Sequence, residues 1–119
     1  MVARISVLAL VPVLVMGGLF LLLRPDPPDA APAERSFDIE IGEDGMRPDE
    51  VSVREGDRVA MGVGSDRPFE LHLHGYDLEW EVGPGGTTGI SFEADLTGRF
   101  PMEDHETKRE LGVLVVEPR

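Results

Sequence analysis

The sequence predicts an all-β domain, a sandwich or barrel of about seven short strands, carried behind a single N-terminal membrane segment. Three observations predict it. Apolar residues in the C-terminal part of the chain recur with period two rather than 3.6, the spacing of half-buried strands. Turn-forming clusters interrupt them about every ten residues. Ile5 to Leu23 is a run of 19 residues without a charge. A chain of 119 residues has room for one small domain and such an appendage, and no more.

The apolar run reads ISVLALVPVLVMGGLFLLL, and about 20 apolar residues span a bilayer core. Pro12, Gly17 and Gly18 are tolerated in membrane helices better than in soluble ones. A cleaved signal peptide is the rival, although its apolar region usually runs only ~7–15 residues. Ala31-Pro32-Ala33 offers a small-x-small cleavage pattern, but it lies well past the apolar stretch and contains a proline. Both readings export the remainder. The expectation is an uncleaved anchor over residues 1–24, single-pass in the cell membrane with its N-terminus inside, and a periplasmic or extracellular C-terminal domain. Residues 25–35 (PDPPDAAPAER) hold four prolines and three alanines. They read as an extended spacer with roughly 30 Å of reach.

Residues 36–119 are the domain. Phe37, Ile39 and Ile41 alternate with Asp38 and Glu40. Val51 and Val53, then Val59, Met61 and Val63, then Phe69, Leu71 and Leu73 continue the alternation. Leu78, Trp80 and Val82 follow, then Ile90, Phe92 and Ala94, and finally Val113 to Val116. Glu43-Asp44-Gly45, Glu55-Gly56-Asp57, Gly64-Ser65-Asp66, Gly83-Pro84-Gly85-Gly86 and Thr97-Gly98 supply the turns. The segment Glu103–Leu111 has room for one helical turn at most.

Charge and cysteine content exclude several functions. Eleven basic and 23 acidic residues give a net charge of −12. Arg4 and Arg24 flank the apolar run, so from residue 25 onward 9 basic against 23 acidic residues leave −14. Such a polyanion repels nucleic acid and attracts cations or basic partners. The chain has no cysteine, which removes disulfides, thiolate catalysis and thiolate metal sites. No nucleophile elbow, phosphate-cradling loop or paired catalytic carboxylates stand out, so no enzymatic activity is expected.

The three histidines are the informative residues. His72 and His74 lie two apart on an extended segment and project from one face, about 6–7 Å apart. His105 follows 31 residues after His74. A split set of imidazoles suits copper or zinc. A solvated strand face accounts for two outward histidines equally simply.

The stretch from Phe37 to Pro118 resembles a cupredoxin-like domain. Arg47 to Val59 (RPDEVSVREGDRV) is similar to that family's Pro, strand and Gly-Asp-x-Val run. His74-Gly75-Tyr76 resembles the first ligand histidine and its aromatic neighbour, and Val82-Gly83-Pro84-Gly85 the turn before the next strand. Thr97-Gly98-Arg99-Phe100 resembles the lead into the ligand loop, and Leu111 to Pro118 the closing strand. The resemblance implies a Greek-key β-sandwich. A blue-copper loop reads Cys-x-x-His with an axial Met about five residues on. Here Met102 stands at the cysteine position and Glu110 at the methionine position, so a blue site cannot form.

The resemblance implies a thiolate-free copper site with His74 and His105 as core ligands, His72 as a third imidazole, and Met102 or Glu110 completing it. Strand parity ranks His72 below the other two, because Gly75 lets the chain turn at His74. Asp77 is a candidate to orient a ligand imidazole. Met102 reads equally as a core residue, and Glu103, Asp104, Glu106 and Glu110 as a solvated acidic loop. The expected role is copper handling or delivery to a copper-transport or respiratory membrane protein, or limited electron transfer. The alternative is a metal-free module that binds a membrane protein through a sheet face or edge. Zinc or nickel at the same histidines is a third option.

Overall fold

A computed structural model describes residues 5–23 and 31–119, with side chains in the helix from Val11 onward. Helix α1 (Ile5–Leu23) is 19 residues long and contains Pro12. Its described side chains, Val11 to Leu23, are all exposed. Among the described residues, no helix is long and apolar enough to cross a membrane. The expected anchor at 1–24 and spacer at 25–35 therefore fall partly outside the described residues.

The domain contains nine strands: β1 (Glu34–Gly42), β2 (Gly45–Arg47), β3 (Glu50–Arg54), β4 (Arg58–Ser65), β5 (Phe69–Leu73), β6 (Leu78–Val82), β7 (Thr87–Glu93), β8 (Gly98–Asp104) and β9 (Glu110–Glu117). They form two sheets, β2-β1-β4-β7 and β3-β9-β8-β5-β6. Strands β1 and β4, and β3 and β9, pair in parallel; every other pair is antiparallel. Only β1–β2, β5–β6 and β8–β9 are consecutive neighbours in one sheet, so the chain repeatedly crosses between layers.

The strand count exceeds the expected seven by β2 and β8. Strand β2 is three residues long and shows no apolar alternation. Strand β8 carries Pro101 and the acidic end Glu103-Asp104, which hide its strand character; Glu103–Leu111 is the end of β8, a turn closed by the Lys108 amide donating to the Asp104 carbonyl at 2.8 Å, and the start of β9, within the single helical turn expected at most.

The core lies where the alternation placed it. In β1, Ile39 and Ile41 are buried and Asp38 and Glu40 are exposed. Val59, Met61 and Val63 of β4 meet Val51 and Val53 of β3, Leu114 of β9, and Leu71 and Leu73 of β5 in one cluster between the sheets. Each fully buried aliphatic side chain of this kind contributes on the order of 1.5–3 kcal/mol.

Asp57, wholly buried, ties the two ends of the domain together. Its carboxylate accepts hydrogen bonds from the amides of Ala33 and Arg54, both at 3.0 Å, and pairs with Arg119 and with Arg35 at 3.6 Å. Burial pushes its pKa up, but the two amides and the two guanidinium groups outweigh that and hold it below the usual carboxylate range.

Candidate metal centre

Strand β5 sets the geometry. Leu71 and Leu73 point into the core, 1% and 0% exposed, so His72 between them must stand on the outer face of the five-stranded sheet. The register places His72 opposite Glu79 of β6 on one side and Glu103 of β8 on the other. His74 lies one residue past the strand, but its amide still donates to the Pro101 carbonyl at 2.9 Å. Its ring therefore remains on the face that carries His72, with centroids 5.6 Å apart. The chain then turns sharply at Gly75. Its φ is +88°, and a Cβ there would lie 2.5 Å from the Phe100 ring, so both conformation and space demand glycine.

His105 reaches the same face from the turn after β8. Its amide donates to the Glu70 carbonyl at 2.9 Å, and its ring centroid is 5.8 Å from that of His72. His74 opposes Pro101 and His105 is tied to Glu70, so the two attach to β5 four residues apart, about 13 Å along a strand. The three rings thus form a row, His74–His72–His105. The expectation made His74 and His105 the core pair with His72 subordinate; in the structure His72 is the central ring and the other two flank it. The parity argument places the histidines on the outer face, and the structure agrees.

Carboxylates divide the row into two groups. His72 Nδ1 lies 3.2 Å from Glu103 Oε1, and His74 Nδ1 lies 4.0 Å from the same oxygen. Glu103 and His72 are well shielded, with side chains 18% and 14% exposed, whereas His74 is largely open. Ligating atoms of His72, His74 and Glu103 all fall within 4.8 Å of one another, and so do those of Glu70, Glu79 and His105. His105 Nδ1 sits 3.2 Å from Glu79 Oε1, out of line for a hydrogen bond, and is a buried nitrogen with no hydrogen-bond partner among the described residues. The pKa of Glu70 is raised, first by a hydrogen bond to the Glu79 carboxyl, then by partial desolvation and by the charges of Glu79 and Glu81; His105 opposes the shift.

Met102 does not join the histidines. It pairs with Leu73, shares its inward direction and is 0% exposed in the core. Glu110 is exposed on β9 beyond the irregularity at Met102/Glu103 and belongs to neither ligand group. Asp77, in the exposed turn with φ 54°, makes no described histidine contact; Glu103 holds the position beside His72 Nδ1 instead. Glu79 was legible in principle. A four-residue turn between Leu73 and Leu78 sets His72 opposite Glu79.

The donor set is two imidazoles and a carboxylate, with no thiolate in the chain and the domain's thioethers, Met46, Met61 and Met102, buried in the core. This fits a nitrogen- and oxygen-ligated copper and does not fit a blue-copper centre.

No family model matches the sequence, and no curated protein matches it either. Solved structures do. The multicopper oxidase mgLAC superposes with a TM-score of 0.60 at 22% identity, over 72% of this chain and 39% of that one. The metal-binding domain of the Cu(I)-exporting P-type ATPase CopA of Streptococcus pneumoniae D39, solved with Cu(I), gives 0.61 at 16% identity, over 70% of this chain and 85% of that domain. A chain of a heme-copper terminal oxidase dimer gives 0.56 at 14% identity, over 94% of this chain and 96% of that one. This chain thus spans well under half of the multicopper oxidase it resembles. The domain has the cupredoxin-like fold.

Proposed function

We propose that this protein binds Cu(II) through His72, His74 and Glu103, on the outer face of a cupredoxin-like domain held at a membrane, and serves copper handling rather than catalysis. The observation that carries the reading is the convergence of two imidazoles and one shielded carboxylate on a single point, the Oε1 atom of Glu103. Imidazole and carboxylate suit Cu(II), which also stands at the top of the divalent affinity order for such donors. The net charge of −14 beyond residue 24 concentrates cations near the domain. The structural neighbours include copper-binding and copper-oxidase domains, which supports a copper-related role. The apolar run of the sequence from Ile5 to Leu23, without a charge, supports a single-pass anchor with the domain exported toward a copper-transport or respiratory membrane protein.

The test is a Cu(II) titration of the full chain in detergent, read by EPR and visible absorption. One tightly bound equivalent with a weakly coloured spectrum, and no intense thiolate band, is expected. The His72→Ala variant should lose it. No stoichiometric uptake, or uptake that ignores His72→Ala and His74→Ala alike, would overturn this copper site and favour a binding module that uses no metal at these histidines.

A further inference from the structure

We infer that the same sheet face carries a second divalent-cation site, formed by Glu70, Glu79 and His105, distinct from the His72–His74–Glu103 site. Its three ligating atoms already stand within 4.8 Å of one another. Carboxylate and imidazole ligands sit about 2.0–2.2 Å from zinc, so tetrahedral neighbours stand about 3.4 Å apart and small side-chain rotations close the set. His105 Nδ1 is itself shielded from solvent, although the side chain is 38% exposed, and lies 3.2 Å from Glu79 Oε1 without a hydrogen bond. A buried nitrogen left without a partner costs free energy, and a cation between it and Glu79 removes that cost.

The fold also brings the two carboxylates together. Glu70 on β5 and Glu79 on β6 are diagonal neighbours, because the register pairs Glu70 with Glu81 and His72 with Glu79. Among the described residues, no lysine or arginine pairs with either. The backbone bond from His105 to Glu70 fixes the third ligand against β5. Two carboxylates and one imidazole make a harder donor set than two imidazoles and one carboxylate, which favours zinc there over a soft cation. His72 separates the two sites, 5.8 Å from His105 ring to ring.

The experiment loads the metal-free full chain in detergent with one equivalent of Cu(II) and then titrates Zn(II). Calorimetry and the imidazole nitrogen NMR signals are the readouts, and circular dichroism confirms that each variant is folded. A second equivalent, bound as zinc with a shift of the His105 signals, is expected. Glu79→Gln, an exposed change on an edge strand, should weaken zinc at least tenfold and leave the copper EPR spectrum unaltered, whereas His74→Ala should do the reverse. Zinc uptake indifferent to both Glu79→Gln and His105→Ala, no zinc uptake at all, or a single equivalent lost in both variants would overturn the inference. If copper is not bound but zinc uptake still depends on Glu79, the copper proposal falls and this second site stands.

Discussion

Met102 and Glu103 are adjacent in sequence, and strand parity sends them to opposite sides of the sheet. The thioether pairs with Leu73 and is lost to the core; the carboxylate pairs with His72 and faces the imidazoles. Replacing each therefore has a separate consequence. Met102→Leu, nearly volume-conserving, should cost less than about 1.5 kcal/mol of stability and leave copper affinity unchanged. Glu103→Gln keeps the shape and removes the charge that His72 and His74 share, so copper affinity should fall by about 10–100-fold. Competition with a chromophoric chelator measures both. A Met102→Leu variant that weakened copper as much as Glu103→Gln would bring the methionine back into the ligand set.

At the scale of the element, the β5–β6 hairpin does most to create the site, and its turn is its vulnerable point. Gly75 adopts a φ that side-chain-bearing residues avoid, and its missing Cβ is where the Phe100 ring packs. Phe100 in turn stacks edge-on with Tyr76 at 4.8 Å, and the Tyr76 hydroxyl donates to the Leu96 carbonyl at 2.8 Å. Gly75→Ala should therefore destabilise the domain by about 2–4 kcal/mol, combining backbone strain with overpacking. It should also displace His74 more than His105, so copper uptake suffers more than any zinc uptake at Glu70, Glu79 and His105. Thermal melts with the two titrations decide it, and equal losses at both sites would refute the argument. Much of this element was readable in advance: period-two alternation defined β5 and β6, and Gly75 allowed the turn after His74 that separates them. Strand β8 was not, because Pro101 and the acidic Glu103 and Asp104 mask any alternation. Without β8 there was no register to set Glu103 against His72 or His105 against Glu70. The histidines could be named, but not which carboxylates face them or that His72 lies between the other two.

Across the whole molecule, the Asp57 carboxylate joins the start of β1, the end of β3 and the C-terminal Arg119, so the two ends of the domain close on one charge. Its pKa is lowered in the folded state despite burial. The sign follows from linkage: a carboxylate with a depressed folded pKa contributes stability that is present above its unfolded value, about 3.9, and is lost as pH falls through the folded value. Asp57→Asn keeps the volume but cannot neutralise Arg119 and Arg35. Partial exposure of both arginines moderates the loss, so the cost at pH 7 should be about 2–3 kcal/mol, a drop in Tm on the order of 10–15 °C for a domain of this size. Between pH 7 and 5 the gap between the two proteins should hold steady, and below about pH 4 it should narrow as the unfolded carboxylate takes up its proton before the native one does. A gap unchanged down to pH 3 would show that the charge of Asp57 is not what closes the domain. The hydrogen bonds from the Ala33 and Arg54 amides, which reach different oxygens so that an asparagine accepts only one of them, would then carry the closure.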